Sequence, residues 1–438
     1  MKAIYDSPLP EGWSEEPLAN LVVTRRGYTW EKADEVDSAH PDTVPVIRIP
    51  NVQDTLDLTD LVHLRNVSPE ALQKAAVTKD WLLFVGSNGT QDRIGDSVLI
   101  EEDRPMVFAS FLMGIQPKDQ TRLRSDFFAH WMRLHLVHEM FSKTSQQTTG
   151  LANFSWGAVK RLPVRFPNCV DEQERIADSI KAAAKALSAA KAELTATREM
   201  KRSLMQSLFV RGMPGRNAKF QQTKVGSIPF GWTVRSIRSV LAEKPDSGTS
   251  PLSRPDPPGT PILNVSCVKD GVCSAAEVTY VDVTAEEISR YRTRAGDFFV
   301  LRGNGNRDFV GTGGLLRTTP EVDTIYSDKL IRLRFNAAEV ADRFIPYLWQ
   351  SREFLARLQS KAESGSGLWM MSKRDICREL FACPPIDEQK QIVTLLDSSE
   401  SQINVQARKA EALMDMKRSL LQNLLTGSVR ISEGAIHA

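Results

Sequence analysis

The chain has 438 residues, 41% hydrophobic and 25% charged, with a net charge of +2. It is too long for one ordinary core and too apolar for a largely disordered chain, and its charge is too balanced to demand or exclude a polyanionic partner. No run of ~18 apolar residues suggests a membrane span and MKAIYDSPLPEGW holds no apolar signal core; the five cysteines (Cys169, Cys267, Cys273, Cys377, Cys383) form no CxxC pair, so a cytoplasmic protein with reduced thiols is expected.

In chain order, Leu9 to Trp13 reads LPEGW, and short β-rich runs follow (PVIRI, WLLFV, SVLI) between Gly, Pro and Asn turns, with SDFFAHWMRLHLVHEMF as one helical stretch. This predicts an α+β domain over 1–165. Residues 166–212 hold a long helix: Asp171 to Val210 contains neither Gly nor Pro, Asp171 can N-cap it, and Glu174 can complete a capping box. A second α+β domain over 213–381 opens with IPFGW and carries PILNV, DFFVL and KLIRLRF. A second long helix with Asp387 at its head occupies 382–430, and 431–438 form a tail.

The second half repeats the first. MKRSL at Met200 recurs at Met416, and DEQ at Asp171 recurs at Asp387 with the same spacing, which two accidents would not give. TVPVIRIPNVQD (Thr43 to Asp54) matches GTPILNVSCVKD (Gly259 to Asp270), and Val67 to Gly89 matches Val283 to Gly305, both ending in Asn-Gly. Along the helices a mostly apolar set of positions steps by four and three. They are Ile176, Ile180, Ala183, Leu187, Ala190, Leu194, Thr197, Lys201, Leu204 and Leu208, then Ile392, Leu396, Ser399, Ile403, Gln406, Ala410, Leu413, Lys417, Leu420 and Leu424. That alternation is a coiled-coil seam, and two such helices in one chain most simply pack on each other.

The ordered set of GW, Asn-Gly turn after an apolar strand, Gly-Leu-x-x-x-Ser, DEQ and MKRSL, present twice, resembles the specificity subunit of type I restriction-modification systems over nearly the whole length. The resemblance implies two target-recognition domains, each reading half of a bipartite asymmetric double-stranded DNA site. It further implies an antiparallel coiled coil that spaces them and docks two methyltransferase subunits, restriction subunits joining that complex. S-adenosylmethionine, Mg²⁺ and ATP would then belong to those partners, with no cofactor and no active site in this chain. A duplicated docking surface suits two identical partners around a pseudo-twofold axis. A helix of ~40 residues spans about 60 Å at ~1.5 Å per residue, a ceiling of about 18 base pairs between half-site centres at ~3.4 Å each. The rival reading is a duplicated scaffold or dimerisation protein without a DNA role.

Catalytic readings are weak. DPPG (Asp256 to Gly259) lacks the aromatic that would stack on a flipped adenine and lies in a Pro-rich loop. Glu388 and Lys390 offer an ExK, but at a helix start and without a partner Asp. His130, His135 and His138 have no HExxH or Cys/His company, so no metal site is expected. RGNGNRDFVGTGG is not a Walker loop, because no GK(S/T) follows.

Three surfaces are candidates for DNA contact. The first is the Asn-Gly turn, with Asn88 and Arg93 in one half and Arg302, Asn304, Asn306 and Arg307 in the other, since Asn can pair with adenine and Arg with guanine. The second is the polar stretch around Gly-Leu-x-x-x-Ser, with Lys143 and Gln146, and Lys361 and Lys373. The third follows an early strand: Arg48, Asn51 and Gln53, or Asn264 and Lys269.

Overall fold

A computed structural model describes residues 5, 8–36, 40–88, 93–144, 146–148, 151–153, 156–365 and 367–431. The chain divides into two compact units: Met1–Lys191 with Lys409–Ala438, and Ala192–Arg408. Each unit therefore holds one globular domain, the start of one long helix and the end of the other. A linear division at the helix boundaries misses this, because helices that pack antiparallel bring opposite ends of the sequence into one core.

In the first unit, Gly12 turns the chain at φ 77°, a left-handed conformation suited to glycine. Strand Trp13–Pro17 then pairs antiparallel with Pro163–Pro167, the strand that leads into the first long helix. A four-stranded sheet follows the order Val22–Arg26, Leu112–Pro117, Leu82–Val85, Ser97–Leu99. Leu82–Val85 reads LLFV and is buried at every position, so its apolar run serves both faces. In a second sheet, Val44–Ile47 runs parallel to Arg104–Phe108. The helical stretch expected over SDFFAHWMRLHLVHEMF is two helices, Ser125–Met132 and His135–Thr144. The break falls at Arg133, whose guanidinium donates to the carbonyls of Ser97 and Asp54 at 2.7 and 2.9 Å and is held there.

The second unit repeats the plan. Gly231 (φ 98°) precedes Trp232, and Thr233–Ser236 pairs antiparallel with Leu380–Cys383 before the second long helix. Phe298–Leu301, buried throughout, lies between Leu330–Leu333 and Gly313–Leu316. Thr260–Leu263 runs parallel to Ile325–Tyr326, as its counterpart does.

The long helices span Val170–Arg211 and Ile386–Leu425, each opening one residue before its DEQ. Asp171 and Asp387 thus lie in the first turn, where a carboxylate suits the helix dipole, and do not cap it. Glu174 makes no capping box; it reaches Arg124 at 3.3 Å.

The seam positions face inward. In the first unit Ile176, Ile180 and Leu424 join one core with Trp13 and Phe127, and Leu187 is buried. In the second, Leu208, Ile392 and Leu396 join the core of Trp232 and Phe298. In each unit the head of one helix and the tail of the other occupy the same core, which is antiparallel pairing. Leu194, Leu204, Ile403, Leu413 and Leu420 are only half-buried. Met205 and Phe209, and Leu425, take the deeper positions beside Leu208 and Leu424.

Candidate nucleic-acid interface

Two of the three surfaces singled out in the sequence are one element. In the second unit, Gly303–Asn304 of the Asn-Gly turn pairs with Leu368–Met370 of the Gly-Leu stretch, which pairs in turn with Glu363–Gly365. In the first unit, Ser87–Asn88 pairs with Leu151–Asn153, and that with Gln146–Thr148. Both units therefore carry the same small three-stranded sheet. In each, a short hairpin of the Gly-Leu stretch is joined by the Asn-Gly strand from far away in sequence, a pairing that neither spacing nor periodicity announces.

In the second unit Asn304 lies opposite Trp369, and the Arg307 guanidinium sits 5.0 Å from the centre of that indole. Arg307 and Asn306 are exposed; Arg302 and Asn304 are half-buried. Asn304 Oδ1 accepts from the Asn306 backbone N–H at 2.9 Å, and Asn306 Oδ1 accepts from Asp308 at 3.0 Å. These bonds shape the turn through the amide oxygens and do not use the NH₂ groups. A two-bond contact to adenine would require Asn304 to release its turn bond. The exposed Phe309 and Leu368 belong to the same element, and sequence reading passed over them because it sought polar groups.

Other expected contact residues are engaged inside the fold. Asn51 is 2% exposed; its Nδ2 donates to the carbonyls of Asp57 and Asp60 and its Oδ1 accepts from Arg48, so it organises its own loop and presents nothing to a groove. Arg93 donates to the Val52 carbonyl at 2.6 Å and pairs with Asp96 at 3.0 Å, joining the first and third surfaces of this unit. Lys361 pairs with the buried Glu379, which Arg357 also holds at 3.1 Å. Lys373 lies 3.4 Å from Asp246, Arg48 3.4 Å from Asp60, and Gln53 Nε2 3.2 Å from the Pro50 carbonyl. Asn264 donates to Thr279 at 2.7 Å, whereas Lys269 is exposed. Asn88 is half-buried in its strand. Lys143 lies on His135–Thr144 and Gln146 on Gln146–Thr148, with side chains outside the described set, as are Gly89, Gly150 and Ser155.

The histidines go to different places. His130 is neutral, its pKa pushed down to about 4 by burial and by Arg133. His135 is exposed and His138 lies 3.3 Å from Asp96. Glu388, the ExK carboxylate, is 1% exposed and bound to Trp232, Asn217, the Met213 amide and Arg216. Asp256 lies in an exposed bend.

DEQ is the hinge of each framework. Trp232 Nε1 donates to Glu388 at 3.0 Å and Trp13 Nε1 to Glu172 at 3.4 Å, tying each GW to its DEQ. Gln173 bridges the carbonyls of Pro167 and Arg122 and the amide of Arg124; Gln389 bridges the Pro384 carbonyl and the Ala341 amide. The segment just past the end of the opposite helix closes each clasp: Arg430 pairs with Glu172 at 2.6 Å, and Arg216 with Asp387 at 2.6 Å and Glu388 at 3.4 Å. The hydrogen bond from Arg216 holds the Asp387 carboxyl below its usual range.

No family model matches the chain. It is similar to the specificity subunit of the type I restriction enzyme EcoKI of Escherichia coli (strain K12), 24% identical over 430 residues, covering 96% of this chain and 89% of that one. It is likewise similar to the StySPI specificity subunit of Salmonella potsdam, 21% identical over 425 residues with the same coverage. Among solved structures, the S subunit of a type I system from M. genitalium aligns over 97% of this chain and 99% of that one, with TM-score 0.56 at 12% identity. A chain from a study of type I R-M assembly and conformational transition aligns over 97% and 100%, with TM-score 0.59 at 15% identity.

Proposed function

We infer that this chain works as the non-catalytic specificity subunit of a type I restriction-modification system, the family to which it belongs. Its partners are DNA and the methyltransferase and restriction subunits of such a system. The observation that carries the detailed reading is the three-stranded sheet, built twice on one repeated framework with different side chains. A framework that repeats while its recognition element diverges suits two different half-sites read on behalf of two identical partners.

In this reading each sheet approaches the groove of its half-site, with Arg302, Asn304 and Arg307 carrying the second half. The long helices dock two methyltransferase subunits, and restriction subunits join through them. S-adenosylmethionine, Mg²⁺ and ATP act on those partners, and the complex works in the cytoplasm. A scaffold without a DNA role would not need divergent sheets on a repeated base.

The test is co-expression with the methyltransferase of the same system, gel filtration, duplex binding, and methylome sequencing of the host. A stable complex and a bipartite methylated motif are expected. A chain that assembles but confers no motif would overturn the reading in favour of the scaffold.

A further inference from the structure

The turn after the GW strand of the second unit, Ile237–Val240, packs on the short helix Lys373–Arg378. Between them lies a cleft of about 680 Å³ lined by Arg238, Lys244, Lys373, Arg374 and Arg378, with Glu243 as its acid. Glu243 is already engaged by Arg334 at 3.2 Å and Arg294 at 3.4 Å, and Lys373 by Asp246. Arg238, Lys244, Arg374 and Arg378 are exposed, and none has an acidic partner among the described residues.

Four unneutralised cations around one cleft repel one another, a cost that an anionic partner would relieve. The helix carrying Arg374 and Arg378 starts three residues after Met370, the end of the central strand of the three-stranded sheet. At ~3.8 Å per Cα step, the patch begins within about 12 Å of that sheet. The first unit is basic at the matching place with different residues. Lys118 donates to the carbonyls of Ala19 and Asn20, Ala19 standing where Arg238 stands relative to the GW tryptophan, and the exposed Lys160 and Arg161 adjoin it, Arg161 matching Arg378. Positive charge kept while residue identity and position drift is the pattern of a contact that reads charge and not shape.

We propose that this cleft grips the phosphate backbone of DNA beside the second half-site, positioning the sheet without reading sequence. The proposal rests on the DNA-recognition reading above. It went unseen in the sequence because Arg238 and Arg378 meet only through the pairing of Thr233–Ser236 with Leu380–Cys383.

The test uses the full-length chain purified with its methyltransferase subunits, carrying R238Q, R374Q and R378Q together, against a duplex bearing the methylated motif and a scrambled duplex. Affinity for both should fall alike, by about tenfold or more, and the log–log salt slope should become shallower by about 3. The methylome motif should stay the same, and Lys at all three positions should restore the slope, since a point charge suffices for phosphate. Unchanged affinity and slope in a complex that melts like the wild type would overturn the proposal. So would an altered second half-site, which would mean base reading, or loss of methyltransferase from the complex, which would mean a protein-docking patch. If the wild-type complex itself binds neither duplex, the DNA reading fails and the proposal falls with it.

Discussion

Trp232 and Glu388, at opposite ends of the second globular domain in sequence, are joined by a 3.0 Å hydrogen bond in the protein interior. Glu388 also accepts from Asn217 and from the Met213 amide. Glu388→Ala leaves the buried Trp232 indole and the Met213 amide without their acceptor, and removes one acceptor each from Asn217 and Arg216. It should destabilise the second unit by about 3 kcal/mol, and Trp232→Phe by about 1 kcal/mol. Denaturant unfolding followed by tryptophan fluorescence measures both; equal effects would show that the carboxylate acts only through the indole.

The graded burial along the seam sets a second expectation. Leu208→Ala and Leu424→Ala should each cost about 2–4 kcal/mol, and the half-buried Leu204 and Leu420 about half as much. Leu208→Asp with Leu424→Asp should abolish assembly with the methyltransferase, read by gel filtration. Intact assembly would mean that the helix ends do not form the docking platform.

Replacing Arg302, Asn304 and Arg307 by Ala should relax one half of the methylated motif and spare the other, because base contacts are local. Asn51→Ala should instead lower stability by about 1–3 kcal/mol, since it strips the bonds that close its loop. Methylome sequencing and thermal unfolding separate the two kinds of effect.

Acid should act first on the first unit. His130 has its pKa pushed to about 4, so the unfolded chain, with an ordinary value near 6.5, binds the extra proton between those limits. Stability is therefore full above about pH 6.5 and declines as pH falls toward 4, with a ceiling of about 3 kcal/mol at 1.36 kcal/mol per pKa unit. His130→Phe should remove that part of the pH dependence. A Tm–pH profile with the wild-type slope in this variant would rule His130 out as its source.

The helices and their seam were legible because a long Gly-free, Pro-free periodic stretch has one good solution, and LLFV and FFVL were legible as strands because four consecutive apolar residues fit a doubly covered position. The Trp–Glu clasp was not, since a hydrogen bond between distant residues leaves no local pattern; GW and DEQ stood out only as repeats. Asn51 looked like a contact because polarity says nothing of whether backbone carbonyls already satisfy an amide. The break at Arg133 was hidden because helical periodicity continues across it, and the Ser97 and Asp54 carbonyls that its guanidinium meets there are distant in sequence.

The Trp–Glu clasp, the bridging glutamines and the helix ends share no residue with the three-stranded sheet they support. The residues that hold the framework and those of the proposed recognition sheet are thus separate sets of positions. On the proposed reading, a substitution in the sheet should change the target with little penalty in the yield of folded protein, whereas one in the clasp should act on folding alone. On that reading, a new target would come from changes in the sheet alone, with the framework left as it is.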